Sequence, residues 1–407
     1  MEEFKMYYRQ PRYFADFRCV GGTCPNSCCI GWSILWTKEE IDKVKDDPNC
    51  SDELRALMES SFHQSSEKEV EGKFIVTLEG LSGRCPFLTE DNFCRIQREL
   101  GAEYLSNTCT VYPRGYIVAD EICYRFNNMS CPSIMSKLLN DEKSADLVNF
   151  PVKKEVTYKN ATVNTPAALE KNPELKYRGE LLEFFYELIS DKKNSVETNI
   201  VLGALAAEQF SKLVEKKEYD RIPEAIKQIK PQLHDGAQIK KIEAIKPNYA
   251  LKLATASKYF NEITNIKLLE SITDKTDTLN IDLYNMGERR LYETYKDKPF
   301  FLRNIALNLL LELATPFKYT DYSIYENYAI FVLTFALLKL TAVASAELCA
   351  LADHQGLVNR GTDDLLTKAA AVVIRNIAHN RTKAGNLVKY MKQDNMFSPA
   401  YLALFIK

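Results

Sequence analysis

Cysteine is where this sequence concentrates its chemistry. Cys19, Cys24, Cys28, Cys29, Cys50, Cys85, Cys94, Cys109, Cys123 and Cys131 all precede residue 132, and only Cys349 lies beyond. In a reducing compartment such density points to a metal or redox site, whereas in an exported chain it reads as a disulfide framework. The opening Met1-Glu2-Glu3-Phe4-Lys5 lacks the basic and apolar stretches of an export signal. The expectation is therefore a cytoplasmic protein whose thiols serve a metal or cluster, with disulfides and inert structural thiols as the competing readings. Of the four histidines only His63 falls among the cysteines, so an all-thiolate site suited to Zn²⁺ or iron–sulfur is the default. The spacings are Cys19-x4-Cys24-x3-Cys28-Cys29, Cys85-x8-Cys94-x14-Cys109 and Cys131-Pro132. They lack the Cys-x2-Cys knuckles of structural zinc and follow no single ferredoxin pattern, although Cys-Pro is shared with the last ligand of bacterial ferredoxin runs.

The elements that must position these thiols look short. Thr37-Lys38-Glu39-Glu40 is a capping box that opens a helix bound to stop near Asp47-Pro48. Residues 52–62 read as helix, Lys73 to Leu78 as a strand, and Cys85 to Cys94 as a tight turn that brings two thiols together. A helical turn over Arg95–Leu100 ends at Gly101. Elements this small bury little surface, so a metal centre is expected to stand in for the missing core. From about residue 166 the pattern becomes helical: Leu181, Leu182, Phe184, Phe185, Leu188 and Ile189; Leu202, Leu205 and Phe210; Leu251, Leu253 and Phe260; Leu302, Ile305, Leu309 and Leu313. Pro151, Pro166 and Pro173 mark a linker over 151–176, and Pro231 to Lys246 a second break. The fold expected is mainly α, with a small irregular cysteine-rich metal-binding unit (1–150) followed by a large helical bundle (166–407) open to division near 231–246.

Composition removes several function classes. Lys plus Arg number 53 against 55 for Asp plus Glu, a net charge of -2, which gives no pull toward nucleic acid or anionic lipid. The apolar run Tyr328 to Leu338 meets Lys339 before it is long enough to span a bilayer, and reads as a buried helix. No Gly-x-Gly-x-x-Gly, P-loop, serine nucleophile elbow or His-Glu-x2-His occurs. The radical S-adenosylmethionine spacing Cys-x3-Cys-x2-Cys is approached by Cys24-x3-Cys28-Cys29 but not met.

Read as a string, Phe17-Arg18-Cys19-x4-Cys24-x3-Cys28-Cys29-x-Gly31-Trp32-x-Ile34 resembles the opening of the flagellin lysine-N-methylase family, a branch of a wider group named for a cysteine-rich chelating motif. The resemblance continues in order through Cys85-Pro86-Phe87-Leu88, Cys94-Arg95-Ile96-Gln97, Leu105-Ser106-x-Thr108-Cys109, Tyr112-Pro113-Arg114 and Ser130-Cys131-Pro132, then Glu326-Asn327-Tyr328 and Arg375-x3-His379. Cys50, Cys123 and Cys349 stand outside these blocks. The resemblance implies methyl transfer from S-adenosylmethionine to lysine side chains of flagellin, with a [4Fe-4S] cluster involved. Its ligands would come from Cys19, Cys24, Cys28, Cys29, Cys85, Cys94, Cys109 and Cys131, which four being open and zinc remaining the alternative metal.

A lysine ammonium must lose a proton before its nitrogen can attack a sulfonium methyl, so a base or a polar pocket is required. Tyr112 and Glu121 are the nearby catalytic candidates. Arg114 offers a fork for the methionyl carboxylate, and Trp32 a face for adenine or the sulfonium, with core packing as its competing role. Two other classes of function stay in view: a metal-chelating or redox-sensing protein, and a zinc-stapled scaffold that presents the bundle to partners. The long bundle argues against chelation alone.

Overall fold

The computed structural model describes residues 7–25, 27–31, 34–64, 73–79, 83–151, 161–246, 280–354 and 362–407. The chain is mainly α, as the sequence implies, and its apolar residues gather in two cores of unequal size.

The smaller core lies in the thiol-bearing region. Helices α1 (Lys38–Lys45) and α2 (Asp52–Ser60) pack beside a three-stranded antiparallel sheet of order β2 (Leu35–Trp36), β4 (Phe74–Val76), β3 (Phe62–Gln64). The capping box is present: Thr37 Oγ1 accepts from Glu40 N–H, and the Glu40 carboxylate accepts from Thr37 N–H. Trp36, Phe62 and Phe87 stack edge to face or tilted at 5.5–6.4 Å, over Val44, Leu54 and Met58. This corrects one expectation, because the unit has an apolar core of its own rather than a metal standing in for one. Short α3 (Arg95–Glu99) and α4 (Asn107–Val111) close it.

The larger core joins the bundle to a five-stranded mixed sheet that the sequence reading did not anticipate. Its order is β7 (Leu147–Pro151), β1 (Tyr7–Pro11), β6 (Ile122–Asn127), β5 (Arg114–Ala119), β8 (Ala161–Val163). Strands β5 and β6 form a hairpin, and every second residue of their inner face, Ile117, Ala119, Tyr124 and Phe126, enters the bundle core. Helix α5 (Pro132–Asn140) follows directly and buries Ile134, Met135, Leu138 and Leu139 in the same core. The two apolar cores thus divide near residue 111. Within the expected linker, β8 and α6 (Pro166–Lys171) are formed.

The bundle comprises α7 (Arg178–Ser190), α8 (Val196–Glu215), α9 (Ile222–Gln232), α10 (Gly236–Glu243), α11 (Ile281–Thr294), α12 (Phe301–Glu312), α13 (Ile324–His354), α14 (Thr362–Ile377), α15 (Arg381–Gln393) and α16 (Pro399–Ile406). The expected break at 231–246 is occupied by the last turn of α9 and by α10; the repeat Leu251, Leu253 and Phe260 lies outside the described residues. Helix α13 is long and apolar enough to cross a membrane, yet the segment that passes this test, Ile324–Ala344, is wholly buried. Its contact with α8 is so close that a Cβ on Gly203 would fall 2.0 Å from the Tyr328 hydroxyl, which donates to Ile200 O at 3.1 Å. Asn327 ties the preceding loop by bonds to Tyr319 N and O at 3.0 and 2.9 Å. Glu326-Asn327-Tyr328 therefore serves packing and loop closure.

Helix α12 carries the polar row that aligns the sheet on the bundle. Asn304, Asn308 and Glu312, at i, i+4 and i+8, share one face. Asn304 Nδ2 donates to Leu138 O and Asp141 O at 3.0 and 2.9 Å, Asn308 Nδ2 to Asn127 O at 3.1 Å, and Glu312 Oε2 accepts Met129 N–H at 3.0 Å. Leu302, Ile305 and Leu309, the apolar repeat read from the sequence, are buried on the same helix.

Candidate active site

Backbone pairing gathers the thiols. Cys85 N–H donates to Cys29 O at 2.8 Å, Leu88 bridges to Cys94, and Ser106 caps the turn carrying Cys109 by accepting Cys109 N–H at 3.1 Å. Burial raises the Cys109 thiol to about 12, with Cys29 and Cys94 adding to the shift. Burial likewise raises Cys85, with Cys29, Cys109 and Cys94 as neighbouring thiols that add to the shift, and Cys94, with Cys29 beside it. A hydrogen bond from Cys28 lowers Cys29 to about 7 and holds Cys28 itself protonated. Cys131 belongs to another group: burial lifts it to about 11, and its thiol neighbours are Cys24 and Cys19. Two sets result, Cys29/Cys85/Cys94/Cys109 and Cys19/Cys24/Cys131, with Cys28 sensing both Cys109 and Cys19. No disulfide joins the described cysteines. Among the described residues, no three of His, Cys, Asp and Glu converge closely enough to hold a single metal ion. Cys50 packs in the small core and Cys123 is buried in β6.

Beside the thiols, where sheet and bundle meet, lies a cavity of about 270 Å³ lined among others by Tyr112, Arg114, Asn128, Glu312, Lys318 and His379. Each comes from the end of an element: Tyr112 from the residue closing α4, Arg114 from the first residue of β5, Glu312 from the last of α12, and His379 from just beyond α14. The Tyr112 hydroxyl shares a 3.0 Å hydrogen bond with Ser130 Oγ, and Ser130 Oγ another of 3.3 Å with His379 Nε2. The same Nε2 stands 3.8 Å from Glu312 Oε1. That oxygen is buried and has no hydrogen-bond partner. Lys318 Nζ donates to the backbone carbonyl of Glu312 at 2.9 Å.

Desolvation dominates the electrostatics. Burial raises the Glu312 carboxyl to about 7, opposed by the Met129 N–H and by Lys318. Burial lowers Lys318, and it lowers His379 to about 3, with Lys318 and Arg375 adding cationic repulsion. The ring of His379 is consequently neutral at physiological pH. Burial and the neighbouring Cys131 raise Tyr112 well above the usual phenol range. The site thus holds a neutral imidazole, a protonated phenol and a carboxyl poised near neutrality, a set able to bind a cation and to exchange one proton.

Of the residues singled out from sequence, the structure brings Tyr112 and Arg114 to the cavity. Arg114 lies with its guanidinium 5.4 Å from the centre of the Phe17 ring. Glu121 is exposed in the turn between β5 and β6, at the far end of the hairpin from Arg114, and Trp32 lies outside the described residues. Arg375 links the halves by donating to Ile30 O at 3.1 Å, one residue from Cys29. Glu312, Lys318 and Ser130 were not picked out as site residues. The available signal was the acid that ends the Asn304–Asn308–Glu312 row on an otherwise apolar helix.

The family model of the FliB lysine N-methylase C-terminal domain matches residues 182–405, more than half of the chain. The chain belongs to this family. Lysine-N-methylases of Salmonella choleraesuis and Salmonella typhimurium are each 25% identical to it over 253 residues, covering 60% of this chain and 58% of theirs. The flagellar biosynthetic protein FliU of Salmonella muenchen is 30% identical over 138 residues, 32% of this chain and 76% of its own length. The chain thus spans less than two thirds of the two lysine-N-methylases. No solved structure matches. The matched FliB region contains Glu312, Lys318, Arg375 and His379, whereas Tyr112 and the cysteines before residue 132 precede it.

Proposed function

We propose that this FliB-family chain transfers a methyl group from S-adenosylmethionine to the ε-nitrogen of lysine side chains on flagellin, in the cytoplasm. The carrying observation is the cavity at which a buried carboxyl with one unpaired oxygen meets a neutral imidazole and a phenol. Family membership and the names of the relatives support the reaction class; a chelator or scaffold leaves this cavity without a purpose.

The transfer is a displacement. The amine lone pair forms the N–C bond, the S–C bond breaks with its pair passing to sulfur, and S-adenosylhomocysteine leaves. Before attack the ammonium must give up one proton to an acceptor in the cavity, along whose wall Tyr112, Ser130 and His379 form a hydrogen-bonded row. Arg114 is placed to pair with the methionyl carboxylate in a bidentate fork. Desolvation inside the cavity favours the neutral amine and strengthens each of these contacts.

The donor set near the cavity is compatible with a [4Fe-4S] cluster. Cys29, Cys94 and Cys109 act on Cys85, Cys29 and Cys94 act on Cys109, and Cys29 ionises near neutrality, as a thiolate ligand must. Three of these four would hold the cluster, with the fourth beside it, so that the cluster when bound would supply one iron open to the amino and carboxylate groups of the methyl donor. Zinc in place of iron and sulfide, found by elemental analysis of anaerobically purified protein, would overturn the cluster. Incubation of that protein with methyl-labelled S-adenosylmethionine and purified flagellin tests the function: label on flagellin lysines is expected, and its absence overturns the reading.

A further inference from the structure

The tightest feature of the cavity lies beside that hydrogen-bonded row. Glu312 ends the polar row of α12, so its backbone and one carboxylate oxygen are fixed. Oε2 is held by Met129 N–H at 3.0 Å, the backbone carbonyl by Lys318 Nζ at 2.9 Å, and the side chain is only 2% exposed. Oε1 is left without a hydrogen bond, though it belongs to a residue that lines the cavity. A buried oxygen without a partner is destabilising, and these two anchors together with burial hold the group in place. Such an atom is open to a donor, and a cationic one makes the stronger bond to a carboxylate.

We propose that Glu312 is the catalytic residue that receives the lysine ε-ammonium and takes its proton, an assignment that rests on the methyltransferase reading. An N–H of the incoming ammonium occupies the open valence of Oε1. The N–H bond then breaks and an O–H bond forms on Oε1, leaving the lone pair on nitrogen to attack the methyl carbon. After transfer the carboxyl releases its proton to solvent through the mouth of the cavity.

The surroundings suit this role. The groups facing Glu312 are Lys318 from the α12–α13 connection, His379 beyond α14 and Tyr13, whose hydroxyl bonds Asn308 one turn before Glu312; Arg375 acts on His379 from one turn earlier. A proton acceptor near neutrality serves an amine better than an ordinary carboxylate would, because the energetic gap to be crossed is smaller. His379 is a positioning residue in this scheme. Its neutral Nε2, 3.8 Å from Oε1, walls the vacancy without competing for it as a cation would.

Glu312→Gln is the informative variant, since the amide oxygen can keep the Met129 contact and preserve folding, to be verified by an unchanged thermal melt. Two readouts separate this assignment from the reaction class. Binding of a short lysine-containing flagellin peptide, measured by calorimetry without methyl donor, should weaken about 10-fold or more, the worth of one charge-assisted hydrogen bond. Methyl transfer should fall about 100-fold and lose the pH limb near neutrality, with Glu312→Asp recovering part of the rate. If wild type methylates flagellin and Glu312→Gln does so with the same rate and pH profile, the assignment fails while the methyltransferase reading stands. If wild type binds the peptide through Glu312 but transfers no methyl, the ammonium site stands and the reaction class fails. A wild-type protein that binds no lysine peptide overturns the assignment.

Discussion

The bundle and the thiol-bearing unit hold themselves together by different means. Phe184, Phe185, Phe210 and Tyr328 form one aromatic seam with centroids 4.7–6.2 Å apart, continued by Phe331, and this core extends into the five-stranded sheet. The thiol unit has twelve buried residues in its core, few long helices and a bond to the bundle from Arg375 to Ile30 O. A rigid body thus meets a small one, and the cavity lies beside their junction. Groups that need fixed geometry, Glu312 and His379, come from the rigid side; groups that suit a metal come from the small one.

The contrast is broken most forcefully by truncating a ring on each side. Phe185→Ala should cost about 3–5 kcal/mol and lower the melting of the whole helical signal. Phe87→Ala, on a residue equally buried, should leave most helical circular dichroism intact while residues 34–111 become protease-sensitive. One common transition for both variants would show that the two cores are a single cooperative unit.

Protonation gives the next effect, with an upper bound of roughly 3 kcal/mol at 1.36 kcal/mol per pKa unit. Folding raises Glu312 from 4.5 to about 7, so the folded state binds the proton more tightly. The resulting penalty is absent below about 4.5, grows as pH rises and is complete above about 7. Glu312→Gln removes it, and its stability relative to wild type should therefore increase across that window in denaturant titrations. The depressed His379 destabilises as pH falls from 6.5 toward about 3, but it is present in both proteins and cancels. A difference that is flat with pH would place Glu312 in water.

Much of this arrangement is legible in the sequence. The capping box at Thr37, the strand within Lys73–Leu78 and the helices around Leu181, Leu202 and Leu302 follow from local rules, because cap chemistry and apolar period act within a few residues. Tyr112 and Arg114 are found through their place among the cysteine blocks. The β5–β6 hairpin is harder to see, since its alternating Ile117/Ala119 and Tyr124/Phe126 compete with a turn, Asp120-Glu121, that lacks glycine. Glu312 is hidden for a stronger reason: its meaning depends on Met129, Ser130 and His379, which are separated from it by 183, 182 and 67 positions. The burial of Ile117 against the bundle is likewise invisible to local composition.

Asn308→Ala sharpens the comparison from the polar side. It strips partners from the Tyr13 hydroxyl and Asn127 O inside the shared core, at about 1–3 kcal/mol, and should lower the same global transition as Phe185→Ala. Thr37→Ala deletes a cap in the small unit for about 1 kcal/mol, and hydrogen exchange should report faster opening of residues 38–45 alone. Accelerated exchange throughout the bundle after Thr37→Ala would erase the distinction between the two regions.

The central claim is that the rigid side of this junction presents Glu312 to a lysine while the thiol side serves the methyl donor. Full-length protein, purified without oxygen, should be given methyl-labelled S-adenosylmethionine and flagellin, and the label located by peptide mapping for wild type and Glu312→Gln in parallel. The account predicts methyl groups on lysine Nζ atoms of flagellin with wild type and about 100-fold fewer with the variant. Unmethylated flagellin from folded, iron-loaded wild-type protein, or equal labelling by both proteins, would contradict it.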